Sequence, residues 1–237
     1  MRRALLALSM FALAACAPQG LRPGERPLAA NPSAVIAAEL AFARLAQEKG
    51  QWTAFRATAA DGAVMFVPQR VLAANWLKGR ANPAASVTWQ PHSVQMSCDG
   101  TAAATTGAWQ GPGGAYGYFT TIWRRQKDGT FRWVLDHGAP INGTPRAAPE
   151  FIEAKVATCG PALPDATDVL LPGDDKQWGA SDDTSLRWST TVRPDGSRQV
   201  TVSRRNGDAM ANVIDDPVAA PPPPVLDASD APKAKAP

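Results

Sequence analysis

Gly117-Tyr-Phe-Thr-Thr-Ile-Trp-Arg-Arg125, then Gln126 and Lys127, then Asp128-Gly-Thr-Phe-Arg-Trp-Val-Leu-Asp-His-Gly138 is the stretch on which the fold turns. Two runs of β-branched and aromatic residues flank an Asp-Gly turn signal, the pattern of an antiparallel hairpin. The same pattern continues upstream, where Asp99-Gly100 and Gly111-Pro112-Gly113-Gly114 punctuate further runs. Strands are expected at Ser86 to Cys98, Thr101 to Gln110, Ala115 to Gln126 and Thr130 to Gly138. Pro91 lacks the ladder donor and forces a bulge or bend in the first of them. Strands of this length curve, and they need a layer to curve around.

That layer is supplied by the residues before the meander. Asn31 or Ser33 can cap a helix whose apolar positions Val35, Ile36, Leu40, Phe42 and Leu45 form one stripe, ending at Lys49-Gly50. A second helix runs from Gln51 to about Ala59. Asp61-Gly62 then turns the chain into a short strand, Ala63 to Val67, stopped by Pro68, and Val71 to Leu77 reads as a further helical turn or two before Gly79. The expected fold class is α+β: a cone of N-terminal helices packed on a strongly curved antiparallel sheet. Beyond it, Ala147 to Pro164 reads as a loop or short helix. Leu186 to Val192 and Arg198 to Ser203, around Pro194-Asp195-Gly196, read as a β-hairpin that extends the sheet or covers its edge. The residues after Pro217, with Pro221 to Pro224, have almost nothing to bury and read as a disordered tail of polyproline II character.

The order of helix, Glu48-Lys-Gly-Gln-Trp52, helix, Ala60-Asp-Gly-Ala-Val-Met-Phe-Val-Pro68 and the 117–138 hairpin resembles the nuclear transport factor 2-like superfamily. More narrowly it resembles the SnoaL-like, or ketosteroid-isomerase-like, proteins of bacteria, over about residues 34–140. The resemblance implies an α+β cone with an internal pocket, often paired into a homodimer through its sheet. Ketosteroid isomerases of this group use a carboxylate base at the end of the first strand, with a tyrosine and an acid as oxyanion donors. By position these roles fall at Val67, near Phe42 or Ala43, and near Thr121. None of these residues can do that chemistry, so steroid isomerisation by that route is argued against and the enzyme question leans towards no.

At the other end, Met1-Arg2-Arg3, an apolar run from Ala4 to Leu13 and Leu13-Ala14-Ala15-Cys16 resemble a bacterial lipoprotein signal closed by a lipobox. The run is too short to span a bilayer. The resemblance implies acylation of Cys16, a mature chain starting there, and attachment to the membrane through two or three acyl chains. Ala17 rather than Asp follows, which favours the outer membrane, facing the periplasm. The alternative is an ordinary secretory signal cleaved near Ala14, and export follows under either. The chain then divides into a signal (1–15), a Pro/Gly-rich tether (16–32), the main domain (33–140), an extension (141–216) and the tail (217–237).

Removing the signal leaves about 220 residues, enough for one ordinary domain with extensions. A net charge of +3, spread in pairs such as Arg124-Arg125 and Arg204-Arg205, argues against nucleic acid as a partner. With Cys16 lipidated, only Cys98 and Cys159 remain, and in an oxidising periplasm their simplest state is a disulfide; the alternative is two buried, inert thiols. No Cys-x-x-Cys occurs and His92 and His137 are the only histidines, so neither a metal nor another cofactor is expected.

Two groups of residues could carry function. Trp52, Phe66, Trp89, Trp109 and Tyr118 are rings suited either to a core or to an apolar ligand cavity at the mouth of the cone. Asp136-His137, at the end of the last strand, is the best polar pair. Strand parity sends the two to opposite faces, with His137 on the side of Phe131, Trp133 and Leu135. If those aromatics face the helices, His137 looks into the cone. Asp61 is explained by its turn and His92 by exposure at a sheet edge. Three functional readings follow: a membrane-anchored module binding a small apolar ligand or an envelope partner; an isomerase, lyase or cyclase acting through Asp136 or His137; and a structural envelope lipoprotein.

Overall fold

In the computed structural model, residues 30–164 and 171–221 are described. The Cys16 lipobox, nearly all of the tether and the tail from residue 222 lie outside the described residues. Helix α1 (Pro32–Lys49) starts with proline in its first turn and ends where Gly50 adopts φ 95°, its N–H bonded to the Ala46 carbonyl. That left-handed conformation, which glycine takes without a Cβ penalty, lets α2 (Gln51–Thr58) start immediately at a new angle. Strand β1 (Ala59–Phe66) follows, then β2 (Arg70–Leu72) and the short α3 (Ala73–Leu77). Asp61-Gly62 therefore lies inside a strand rather than before one. The pairing register shifts between Ala59 and Val64, so the expected turn is absorbed as an irregularity. Val71 and Leu72 belong to β2, which folds back on β1, and not to a helix.

The expected meander forms β3 (Thr88–Met96), β4 (Ala102–Gln110), β5 (Tyr116–Arg125) and β6 (Phe131–Pro140). The register between β3 and β4 shifts at Pro91, as its missing donor requires. The segment expected as loop or short helix instead contributes β7 (Glu153–Val156), which pairs parallel to β3. The resulting seven-stranded sheet has the order β2-β1-β6-β5-β4-β3-β7, antiparallel except for the β1–β6 and β3–β7 pairs.

The hairpin expected in the extension is present as β9 (Leu186–Val192) and β10 (Arg198–Asn206), but β8 (Asp175–Ala180) and β11 (Ala209–Val218) flank it. All four make a second, antiparallel sheet, β11-β10-β9-β8. It neither extends the first sheet nor covers its edge. Leu186, Val200, Val202 and Ile214 pack on Phe66, Ala102, Ala104, Ile122 and Leu135, so the second sheet lies on the face opposite the helices. On the helix side, Val35, Phe42, Phe55, Met65, Leu77, Trp123 and Trp133 form the other core. Cys98 and Cys159 are disulfide-bonded, their Cα atoms 5.2 Å apart, and join the β3–β4 turn to the segment that leads into the second sheet.

Candidate functional site

A cavity of about 210 Å³ lies between the helices and the first sheet. Its helical wall is Phe42 of α1 with Trp52 and Phe55 of α2, and its sheet wall carries Met65, Trp89, Trp109 and Phe119. The rings hold one another: Phe42 meets Phe55 and Trp89 edge-on, each at 4.8 Å, and Trp52 meets Phe55 at 5.4 Å. Edge-to-face contacts fix ring orientation as well as burying area. Trp109 is held flat on the sheet by its indole N–H, which donates to the Tyr118 carbonyl at 2.9 Å.

Asp136 borders this cavity from β6. Its Oδ2 accepts from the Thr121 hydroxyl at 2.9 Å, Thr121 being its cross-strand partner on β5. Burial pushes its carboxyl up to about 7; the Thr121 bond offsets part of this and the nearby Glu39 carboxyl adds to it. Glu39 itself is fully buried in the apolar stripe of α1. Trp89 Nε1 donates to its Oε1 at 2.7 Å, while Trp123 Nε1 (2.9 Å) and Thr105 Oγ1 (2.6 Å) donate to its Oε2. Burial raises its pKa in spite of these three bonds. Two carboxyls thus share the helix side of the sheet, and none of their hydrogen-bond partners is a cation.

His137 is a correction to the expected parity. The β5–β6 register shifts between Ile122 and Trp123, which pair with Leu135 and Trp133, leaving Val134 as an extra residue. Trp133 stays in the helix-side core and Leu135 joins the core between the sheets. The bulge therefore turns Asp136 towards the helices and His137 away from them. The His137 residue borders the cavity, but its ring packs against Phe66 at 5.4 Å and Tyr118 at 6.0 Å. It is fully buried, neither ring nitrogen has a hydrogen-bond partner among the described residues, and burial, with Arg198 nearby, holds its pKa down at about 3. It is a neutral core residue.

The remaining expected residues divide in the same way. Trp52, Phe66, Trp89 and Trp109 border the cavity. Tyr118 does not: its ring faces the second sheet under Arg146, whose guanidinium carbon is 4.4 Å from the ring centre. Burial, with Asp216 second, pushes its phenol up to about 12. Val67 and Phe42, the positions that the resemblance assigns to a base and a tyrosine, do border the cavity. The carboxyl there comes from Asp136, on a different strand. Asp61 is exposed, and His92 is half-buried at the bulge after Pro91 instead of exposed at a sheet edge. Glu39 was missed, although an acid in register with Val35, Phe42 and Ala46 marks a buried carboxyl in the sequence itself.

Among the described residues, no three His, Cys, Asp or Glu side chains stand close enough to hold a metal ion, and no helix is long and apolar enough to cross a membrane. No protein-family model and no curated protein matches the chain. Among solved structures it is similar to a candidate ketosteroid isomerase from Parabacteroides distasonis, 14% identical with a TM-score of 0.38, over 49% of this chain and 97% of that one. It is similar also to one from Shewanella frigidimarina, 16% identical with a TM-score of 0.32, over 44% of this chain and 94% of that one.

Proposed function

We propose that the protein is an envelope lipoprotein, anchored through Cys16 and facing the periplasm, whose nuclear transport factor 2-like domain binds a small apolar molecule. The observation that carries the ligand reading is the aromatic-walled cavity of about 210 Å³ with a single carboxyl, Asp136, facing into it. Sites for small organic ligands have this composition: apolar walls that supply affinity and a few placed polar groups that supply orientation. The lipobox supports the anchor.

The test is binding to the full chain, followed by saturable quenching of tryptophan fluorescence and by mass spectrometry of compounds extracted from the purified protein. Val67→Trp, which fills the cavity, is expected to abolish both signals while leaving the circular dichroism spectrum unchanged. A folded wild type that shows no saturable response to any small apolar compound overturns the reading. For the anchor, Cys16→Ser is expected to abolish acyl labelling and to release the protein from membranes.

A second reading, supported by the ionisation of Asp136 near 7, is an enzyme that moves a proton to and from carbon, because a general base works best when its pKa lies near the working pH. Here 2-tetralone in D2O is a direct probe. Deuterium incorporated at its α-carbon by wild type and not by Asp136→Asn supports catalysis; equal exchange by both removes it.

A further inference from the structure

The charges around the cavity are one-sided. Of the described side chains that border it, only Asp136 and His137 titrate, and the His137 ring is turned to the other face and neutral. We infer that the cavity takes an organic cation: a small ring-bearing ammonium compound whose charge meets the Asp136 carboxylate while its apolar body lies against the tryptophan and phenylalanine walls. This inference rests on the ligand-binding reading above and narrows it to a chemical class.

Four observations lead there. The Thr121 hydroxyl occupies Asp136 Oδ2, while Oδ1 receives no hydrogen bond from the described residues and is not sealed off by them, so it is left to face the cavity. Among the described residues no basic side chain borders the site; Arg198 lies behind the sheet with its guanidinium over Phe66 at 5.2 Å and bonded to the Gly138 carbonyl, so an anionic ligand would meet the Asp136 carboxyl with no cation to pair with in the cavity. The walls include the rings of Phe42, Trp52, Trp89 and Trp109, and aromatic rings attract cations over their faces, tryptophan most strongly. Trp89 also gives its indole N–H to Glu39, which leaves more electron density on its face, and Glu39 adds a second acid behind the same wall. A half-buried carboxyl without a counter-charge is an unpaired partner, and an ammonium ion completes the pair where water is partly excluded.

The groups facing Asp136 are few: Glu39 from α1, the Thr121 hydroxyl from β5, Met65 as its cross-strand neighbour on β1, and the neutral Gln51 at the α2 wall. The carboxyl ionises around 7, so cation binding belongs to the side above that value.

The experiment is calorimetric titration of the full chain with three probes of matched shape, 2-phenylethylammonium, 2-phenylethanol and 3-phenylpropanoate, at about pH 8 and about pH 5.5. The ammonium is expected to bind about tenfold more tightly than the alcohol at the higher pH, to lose about tenfold at the lower pH, and the propanoate to bind weakest at the higher pH. Asp136→Asn is expected to erase the preference for the ammonium and keep the alcohol. If that variant fails to fold, the pH dependence of the wild type decides alone. Alcohol binding equal to or tighter than the ammonium at the higher pH overturns the cation inference and leaves the cavity reading standing. Binding of none of the three overturns this inference, and the broader reading then falls only if its own wider panel also fails.

Discussion

Asp99 and Asp183 exchange hydrogen bonds: the backbone N–H of Asp99 donates to Asp183 Oδ2 at 3.0 Å, and the backbone N–H of Asp183 donates to Asp99 Oδ2 at 2.9 Å. Each aspartate also organises its own turn. Ser97 Oγ and Thr101 N–H donate to Asp99 Oδ1, just as Ser181 Oγ and Ser185 N–H donate to Asp183 Oδ1. Ser97-Cys-Asp-Gly-Thr101 and Ser181-Asp-Asp-Thr-Ser185 are thus the same turn, one from each sheet, docked face to face. Gly100 and Thr184 occupy equivalent places, with φ 70° and 58°, and Thr184 is the one non-glycine residue with positive φ among the described residues.

Asp183→Ala is expected to cost about 2–3 kcal/mol, because it leaves the N–H groups of Asp99 and Ser185 without their acceptor. Urea unfolding of the single variants and the Asp99→Ala/Asp183→Ala double variant forms a cycle, and a coupling of about 1 kcal/mol is expected. Burial alone would raise the Asp183 pKa, but the bonds from Ser181, Ser185 and Asp99 outweigh it and the net shift is downward. Its contribution to stability is therefore complete above the unfolded-state value and is lost as pH falls through the depressed folded-state value.

Asp136 behaves in the opposite sense. Its pKa rises to about 7 on folding, so the folded state favours the neutral acid, and stability is lost as pH rises from about 4 to about 7. Asp136→Asn keeps an oxygen for Thr121 and removes the half-buried charge. The variant is expected to be more stable than wild type by about 2–4 kcal/mol at pH 8 and equal to it at pH 4, measured by thermal unfolding at both.

Gly117→Ala tests the sheet wall of the cavity. A Cβ at Gly117 would overlap the Ala139 carbonyl oxygen and the Trp109 indole. Because the carbonyl belongs to a paired strand, the indole cannot move alone. A loss of about 2–3 kcal/mol is expected, together with a red-shifted tryptophan emission as Trp109 is displaced.

The Cys98–Cys159 bridge spans 61 residues, for which the chain-entropy account gives a contribution of about 4 kcal/mol. Cys98 sits inside the docked turns, its N–H bonded to Ser185 Oγ at 2.8 Å, so the bridge and the turns secure the same end of the two sheets. The Cys98→Ser/Cys159→Ser variant is expected to unfold at lower urea concentration, and adding Asp183→Ala to it is expected to cost more than either change predicts by summation.

The helices and the meander were legible because their signals are local. The apolar stripe closing at Lys49-Gly50 and the Asp-Gly turns at 99 and 128 place α1 and β3–β6 to within a few residues. The second sheet was only half legible. Strand β8 carries an exposed Trp178, β11 contains Pro217, and neither shows the alternation that marks a strand buried on one face. What identifies them is pairing with β9 and β10, a long-range property. The candidate site failed at one point for the same reason. Asp136 and His137 were correctly read as facing opposite ways, but an extra Val134 in the strand reverses which way each faces, and no residue preference announces it.

That extra valine sets the chemistry of the cavity. With the register held at Trp133, the same residues paired without the bulge at Val134 would present His137 to the cavity and hide Asp136 between the sheets. One step of register separates a pocket that offers a carboxylate from one that offers an imidazole, without any change to the residues that do the work. A lineage can therefore exchange acid for base at this position by gaining or losing the bulge, and relatives of this chain are best compared by bulge position before they are compared by residue identity.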